Sequence, residues 1–172
     1  MKLEVETVRG ELMRVAEIAS GLLDGEDVKQ IITEQAIGHV SRPDPEFRFL
    51  SADYYDVNHG PFLRVKKLLM RIERLAGVPV NGAVWVRVPE SDDVTVALHN
   101  GPHHRFYRFG TLQMAMPEAL REVFANAKRV WLPADRDGHL VTVLAPIRDS
   151  LQDVVGVVEL TAPTDLDAPA WS

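Results

Sequence analysis

Residues 129–161 constrain the fold of this chain more than any other stretch, because they alternate strand and turn and leave little room for another reading. They run RVWL, PADRDG, HLVTVLAPI, RDSLQD and VVGVVELT. Asp137-Gly138 predicts a two-residue hairpin, since a type I′ turn needs positive φ at its centre and Gly supplies it without strain. The two later runs are apolar at almost every position, and a strand with one wet face would alternate instead. They belong in the middle of an antiparallel sheet that is covered on both sides.

Upstream, apolar spacing predicts helices. Val5, Val8, Leu12, Val15, Ala19 and Leu22 form an a/d stripe, too short to require a coiled coil, which either packs the helix on the sheet or pairs two copies of the chain. A second helix after Asp24 or Gly25 carries Val28, Ile31, Ile32 and Ala36 and ends at the prolines of residues 41–45. Residues 47–58 are an aromatic-rich connection or short helix. Gly60-Pro61 opens a long helix with Phe62, Val65, Leu68, Leu69, Ile72 and Leu75 inward, because proline in a first turn forfeits no hydrogen bond.

Two alternating strands follow, AVWVRV and VTVALH, with Val84, Val86 and Val88 on one face and Trp85 and Arg87 on the other. Residues 100–116 form a long crossover, and Pro117 starts a short helix with Leu120, Val123, Phe124 and Ala127 inward. The expected fold is α+β, a five-stranded antiparallel sheet in the order 2-1-5-4-3 with a long N-terminal helix and a helical and loop cap. The greasiest strands are then central and the mixed ones form the edges. Residues 1–24 are the amphipathic helix, for packing or dimerisation; residues 25–163 are the domain; residues 164–172 are a polar tail.

Composition narrows the function classes. The chain has 172 residues, enough for one domain with a helical appendage, and its 19 basic and 25 acidic residues give a net charge of −6. That balance argues against a nucleic-acid partner, which needs a basic face for phosphates. The absence of cysteine rules out disulfides, thiolate metal sites and cysteine nucleophiles, and no run approaches the roughly 18 apolar residues of a membrane span. No signal-peptide core follows Met1, and the chain as given reads as soluble. Signatures such as G-x-S-x-G, the P-loop, G-x-G-x-x-G and H-E-x-x-H are missing, so an enzyme is not expected. Asp135, Asp137, Asp149 and Asp153 sit in turns, where Asp is favoured for its backbone hydrogen bonds.

The phrase GHLVTVLAPIRDSLQDVVGVVELTAP resembles the closing hairpin of PAS-like single Cache (PDC-type) sensor domains. MRVAEIASGLLDGEDVKQI resembles that family's long N-terminal helix, and SADYYDV followed by a helix and GAVWVRV fits its entry into the sheet. The resemblance spans about residues 8–163. Its motifs encode turns and packing more than chemistry. Two departures stand out: Leu151-Gln152-Asp153 occupies the last turn where many relatives carry Gly, and the flanking transmembrane helices of the family are missing from this sequence. The resemblance implies a small-molecule sensor attached to a kinase, cyclase or chemoreceptor module, and the a/d stripe of the first helix adds a homodimer to the expectation. It would be extracytoplasmic if the chain is a portion of a membrane receptor, and cytoplasmic otherwise.

Three clusters are candidate sites. His99, His103 and His104 could ligate a divalent metal through neutral imidazoles, against the plainer reading of a solvated polar loop. Arg105, Phe106, Tyr107, Arg108 and Phe109 border the expected pocket; Arg offers a fork for a carboxylate and Tyr can stack and donate, unless the aromatic rings merely anchor the loop. Trp85, Arg87 and Trp131 could line the same pocket, or be core aromatics. Glu159, the one charge inside VVGVVEL, needs a partner if it is buried, with Arg87 the obvious choice.

The resulting expectation is a sensor domain that takes a small, anionic metabolite between sheet and cap. Its ligand set is Tyr54, Trp85, Arg87, His99, His104, Arg105, Tyr107 and Trp131, without cofactor, metal or nucleic acid. Closure of residues 100–116 over the ligand would bias the packing of the first helix. The alternatives are a ligand-free dimerising scaffold and, weakest, a metal-dependent enzyme using the histidine loop.

Overall fold

The computed structural model describes residues 2–41, 57–101, 104–107, 113–133 and 139–165. Tyr54, His103, Arg108, Phe109 and the Asp137-Gly138 turn lie outside the described residues, as does most of the aromatic-rich segment.

Among the described residues five helices and six strands follow in order: α1 Val5–Leu22, α2 Gly25–Ile31, α3 Glu34–Ser41, α4 His59–Glu73, β1 Asn81–Arg87, β2 Asp93–His99, β3 Gln113–Ala115, α5 Glu118–Asn126, β4 Val130–Leu132, β5 Leu140–Arg148 and β6 Val154–Pro163. The strands form one antiparallel sheet in the order β3-β2-β1-β6-β5-β4. The expectation of five strands is corrected here. The crossover contributes β3, which pairs with β2 through Asp93↔Ala115 to Thr95↔Gln113 and takes the edge expected for the second strand. Three residues without apolar alternation carry no strand signal of their own; a ready neighbour makes them extended.

The greasy strands are central, as their composition requires. β5 and β6 pair from Leu140↔Pro163 to Arg148↔Val154, with Val143 opposite Leu160 and Leu144 opposite Glu159. One face of the sheet packs α1, α2 and α4, and the other packs α5 and residues 104–107. Val84 and Val86 join the first core and Trp85 the second, which is the period-two alternation of a strand.

In α1, Val8, Leu12, Val15 and Ala19 are fully buried against β5 and β6. The middle of the stripe, Val8 to Ala19, is taken up inside the chain, while Leu22 at its end stays exposed. The single helix expected after Asp24 is two helices. Ile32 is extended at φ −87° and ψ 119° and bridges Val57, and Thr33 Oγ1 then accepts from Ala36 N at 3.2 Å to restart the helix. A distant strand-like contact thus overrides a locally continuous helical pattern. No helix among the described residues is long and apolar enough to cross a membrane.

Candidate functional site

Two regions of the fold carry chemistry, one on each face of the sheet. On the α5 face, Glu159 is completely buried where β6 runs between β1 and β5. Its Oε2 accepts from Trp85 Nε1 at 2.6 Å and its Oε1 from the Arg105 backbone N–H at 2.6 Å. The Phe106 N–H also bonds it, and the Thr161 hydroxyl donates at 3.4 Å. Burial pushes this carboxyl up to about 7, against the lowering effect of those donors. The expected partner, Arg87, is not the one used. The Arg87 guanidinium lies 4.6 Å from the centroid of the Phe124 ring and is exposed, whereas an indole and backbone amides could satisfy the acid without burying a second charge.

Around that carboxyl the loop closes tightly. Phe106 meets Trp85 edge-on at 6.3 Å, and the His99 ring lies 4.5 Å from Tyr107 and 6.3 Å from His104. Arg105 turns outward to donate to the Pro133 carbonyl at 2.5 Å. Tyr107, Met116, Leu120, Val123 and Phe124 pack against Trp85 and Val157 on this face. Glu159 is held by the Trp85 indole and by the backbone amides of Arg105 and Phe106, whereas the Arg105 guanidinium expected to grip a carboxylate points to Pro133.

Of the expected set, Trp85, His99, His104, Arg105 and Tyr107 come together in this loop latch. Trp131 does not join them. It packs on the opposite face with the α1 core, and the Arg9 guanidinium lies 4.2 Å from its ring centroid; β4 is an edge strand whose register with β5 sends that indole the other way. Among the described residues no group of three metal-ligating side chains is placed to hold an ion.

The helical face holds a cavity of about 290 Å³. Val28 and Ile32 of α2 and its C-cap, Ile37 of α3, and Val86, Val88 and Val155 of the sheet supply its apolar walls, with Thr95, Lys29 and Arg87 at its border. α2 forms one wall and is clamped. Lys29 Nζ lies 2.9 Å from Asp149 Oδ2 and 2.9 Å from Glu26 Oε2, and Glu26 Oε1 accepts from Ser150 Oγ at 2.7 Å. Lys29 holds the Asp149 carboxyl below the usual range, helped by the Asp153 and Leu151 amides. A Cβ on Gly25 would lie 2.3 Å from the Arg148 carbonyl oxygen, so glycine is what lets α2 approach the β5–β6 turn. Arg64 of α4 anchors the far side by a fork on Asp27, at 2.6 and 2.9 Å.

Sequence reasoning missed this cavity. Val28 and Ile32 read only as apolar positions of the second helix. The signal available was Gly25 at a helix start beside the RDS turn, but neither residue type nor spacing says that the two meet.

No protein-family model matches the sequence, and no curated protein does either. Among solved structures, the chain is similar to an A. aeolicus GAF domain in an inactive state, at 17% identity and a TM-score of 0.40 over 76% of this chain and 77% of that one. A second GAF domain overlaps at 11% identity and a TM-score of 0.44, covering 83% and 77%. The periplasmic sensory domain of a Campylobacter jejuni chemoreceptor overlaps at 15% identity and a TM-score of 0.41, with 90% of this chain spanning 53% of that one. At such distances the function of this chain has to be argued from its own geometry.

Proposed function

We propose that this chain is a non-catalytic, small-molecule-sensing domain of a signalling protein, and that its ligand enters between the sheet and α2–α3. The cavity of about 290 Å³ carries this reading; it lies at the small end of the roughly 300–1,000 Å³ typical of ligand pockets. Its aliphatic walls suit the body of a compact metabolite, and the Lys29 cation at its border favours an acidic head. The loop latch on the other face, with Trp85, His99, His104, Arg105 and Tyr107, then has a structural role.

The output follows from the clamp. An anionic head that draws Lys29 away from Asp149 would loosen α2 from the β5–β6 turn. α1 is joined to α2 by only Leu23 and Asp24, both extended, with Leu23 N bonding Ala19 O at 2.9 Å and the Asp24 side chain capping α2. Ligand binding would thereby bias the seating of α1, a two-state readout for an attached module. Kinase, cyclase or chemoreceptor attachment belongs to this proposal, as does a homodimer formed by some surface other than the buried α1 stripe.

The test is a thermal-shift screen of short aliphatic and monoaromatic carboxylates on the intact chain and on Val155→Trp, which fills the cavity. A rise in Tm for the intact chain that disappears in the filled variant supports the site. No rise with any of the acids, or a rise that survives in Val155→Trp, overturns it.

A further inference from the structure

We propose that the outward face of α4 is a docking surface for an anionic phospholipid bilayer. The proposal goes beyond the sensing role and does not depend on the cavity.

Of the five large apolar side chains exposed among the described residues, three lie on or just after this helix: Leu63 at 46%, Met70 at 39% and Leu75 at 51%. Between them stand Lys67, Arg71 and Arg74, all exposed. Positions 63, 67, 70 and 74 follow i, i+4, i+7 and i+11, so they form one stripe, with Arg71 and Leu75 beside it.

Charge balance separates this face from the other exposed helices. On α1, Glu6 pairs with Arg9 at 3.1 Å and Glu11 with Arg14 at 2.6 Å, and on α5 Glu118 lies 3.6 Å from Arg121. On α4 the Arg64 charge is matched by Asp27 at 2.6 Å. Among the described residues no carboxylate lies in salt-bridge range of Lys67 or Arg71, and Arg74 feels only the charge of the neighbouring Glu73. The acid of this helix, Glu73, is turned inward to accept from Gly82 N at 2.6 Å and Asn100 Nδ2 at 3.3 Å. A chain of net charge −6 thus gathers cations without a salt bridge and bare apolar side chains on one helical stripe.

That interleaving is the pattern of interfacial helices. Leu and Met side chains enter the boundary between headgroups and acyl chains while long cationic side chains reach back to lipid phosphates. A folded protein partner would need fixed carboxylates in register with three flexible cations. An anionic bilayer presents mobile charge and apolar depth together, and so meets both halves of the stripe.

Co-sedimentation of the full chain with vesicles tests the assignment, comparing phosphatidylcholine alone with phosphatidylcholine carrying about 30% phosphatidylserine. Binding is expected to the anionic vesicles, to fall with added salt, and to weaken by about 10–100-fold in Lys67→Glu/Arg71→Glu. Leu63→Ser/Met70→Ser, which changes no charge, should also weaken it; circular dichroism checks that both variants fold. Absence of binding to anionic vesicles overturns the proposal, as does binding by either variant as strong as that of the intact chain. Sedimentation velocity showing a dimer that Lys67→Glu/Arg71→Glu breaks would assign the face to a second copy and also overturn it.

Discussion

Glu159 shows what a single residue does to the energetics of this fold. An acid whose pKa is raised from 4.5 unfolded to about 7 folded binds more protons in the native state across that window. Stability therefore falls as pH climbs from about 4.5 to about 7 and does not recover above it. Glu73 acts in the same direction, since burial also pushes it up to about 7, with a smaller effect because it is only partly buried. Glu159→Gln keeps an oxygen for Trp85 Nε1 while removing the ionisation. Urea melts at about pH 5 and about pH 8 should show the wild type losing up to about 3 kcal/mol more than the variant. Equal losses would mean that Glu159 titrates as an ordinary surface acid. Another residue-scale prediction concerns Ala127, which ends α5 at φ 53°. Left-handed backbone costs a side-chain-bearing residue about 1 kcal/mol. Ala127→Gly should accordingly raise the urea midpoint, by roughly 0.5–1 kcal/mol after the entropy of glycine is counted.

Among the elements, α2 is the most constrained for its length. Its first residue, Gly25, abuts the Arg148 carbonyl, and its Glu26 and Lys29 bond the turn at Asp149 and Ser150. Backbone is what a new methyl would strike, and backbone cannot swing aside as a flexible side chain can. Gly25→Ala should therefore lower stability by about 2–4 kcal/mol in a urea melt, well beyond a typical surface change. A loss under about 0.5 kcal/mol would show that the helix can retreat from the turn. The turn itself departs from the glycine-bearing pattern of the resembling family at Leu151-Gln152-Asp153. Gln152 adopts φ 68°, and Asp149 Oδ1 holds the loop by accepting from Leu151 N at 2.9 Å and Asp153 N at 3.0 Å. The conformation that glycine would supply is imposed here by side-chain hydrogen bonds.

At the scale of the molecule, a sheet that is apolar on both sides has to be covered on both. α1 supplies much of one cover, burying Val8, Leu12 and Val15 on β5 and β6. Removing residues 1–22 should leave Val143, Ala145, Ile147 and Leu160 open to water, with loss of a cooperative urea transition and strong binding of a hydrophobic dye. A truncated chain that unfolds cooperatively at the wild-type midpoint would make α1 an appendage and not part of the core.

By itself the sequence determined the elements whose signal is local: the amphipathic helices, the alternation in β1, and the doubly apolar β5 and β6 that had to be central. Those follow from period and burial, which a short window contains. Only the tertiary structure decided where Glu159 finds its donors, 74 and 54 residues away at Trp85 and Arg105. It also decided that Ile32 leaves the helix to meet Val57, that Trp131 and Trp85 face opposite cores, and that the cavity lies under α2 and not under residues 104–107. The physical reason is common to all four: a buried polar group or an unfilled volume is satisfied by whatever the fold brings near it, and no local pattern encodes which distant residue that will be.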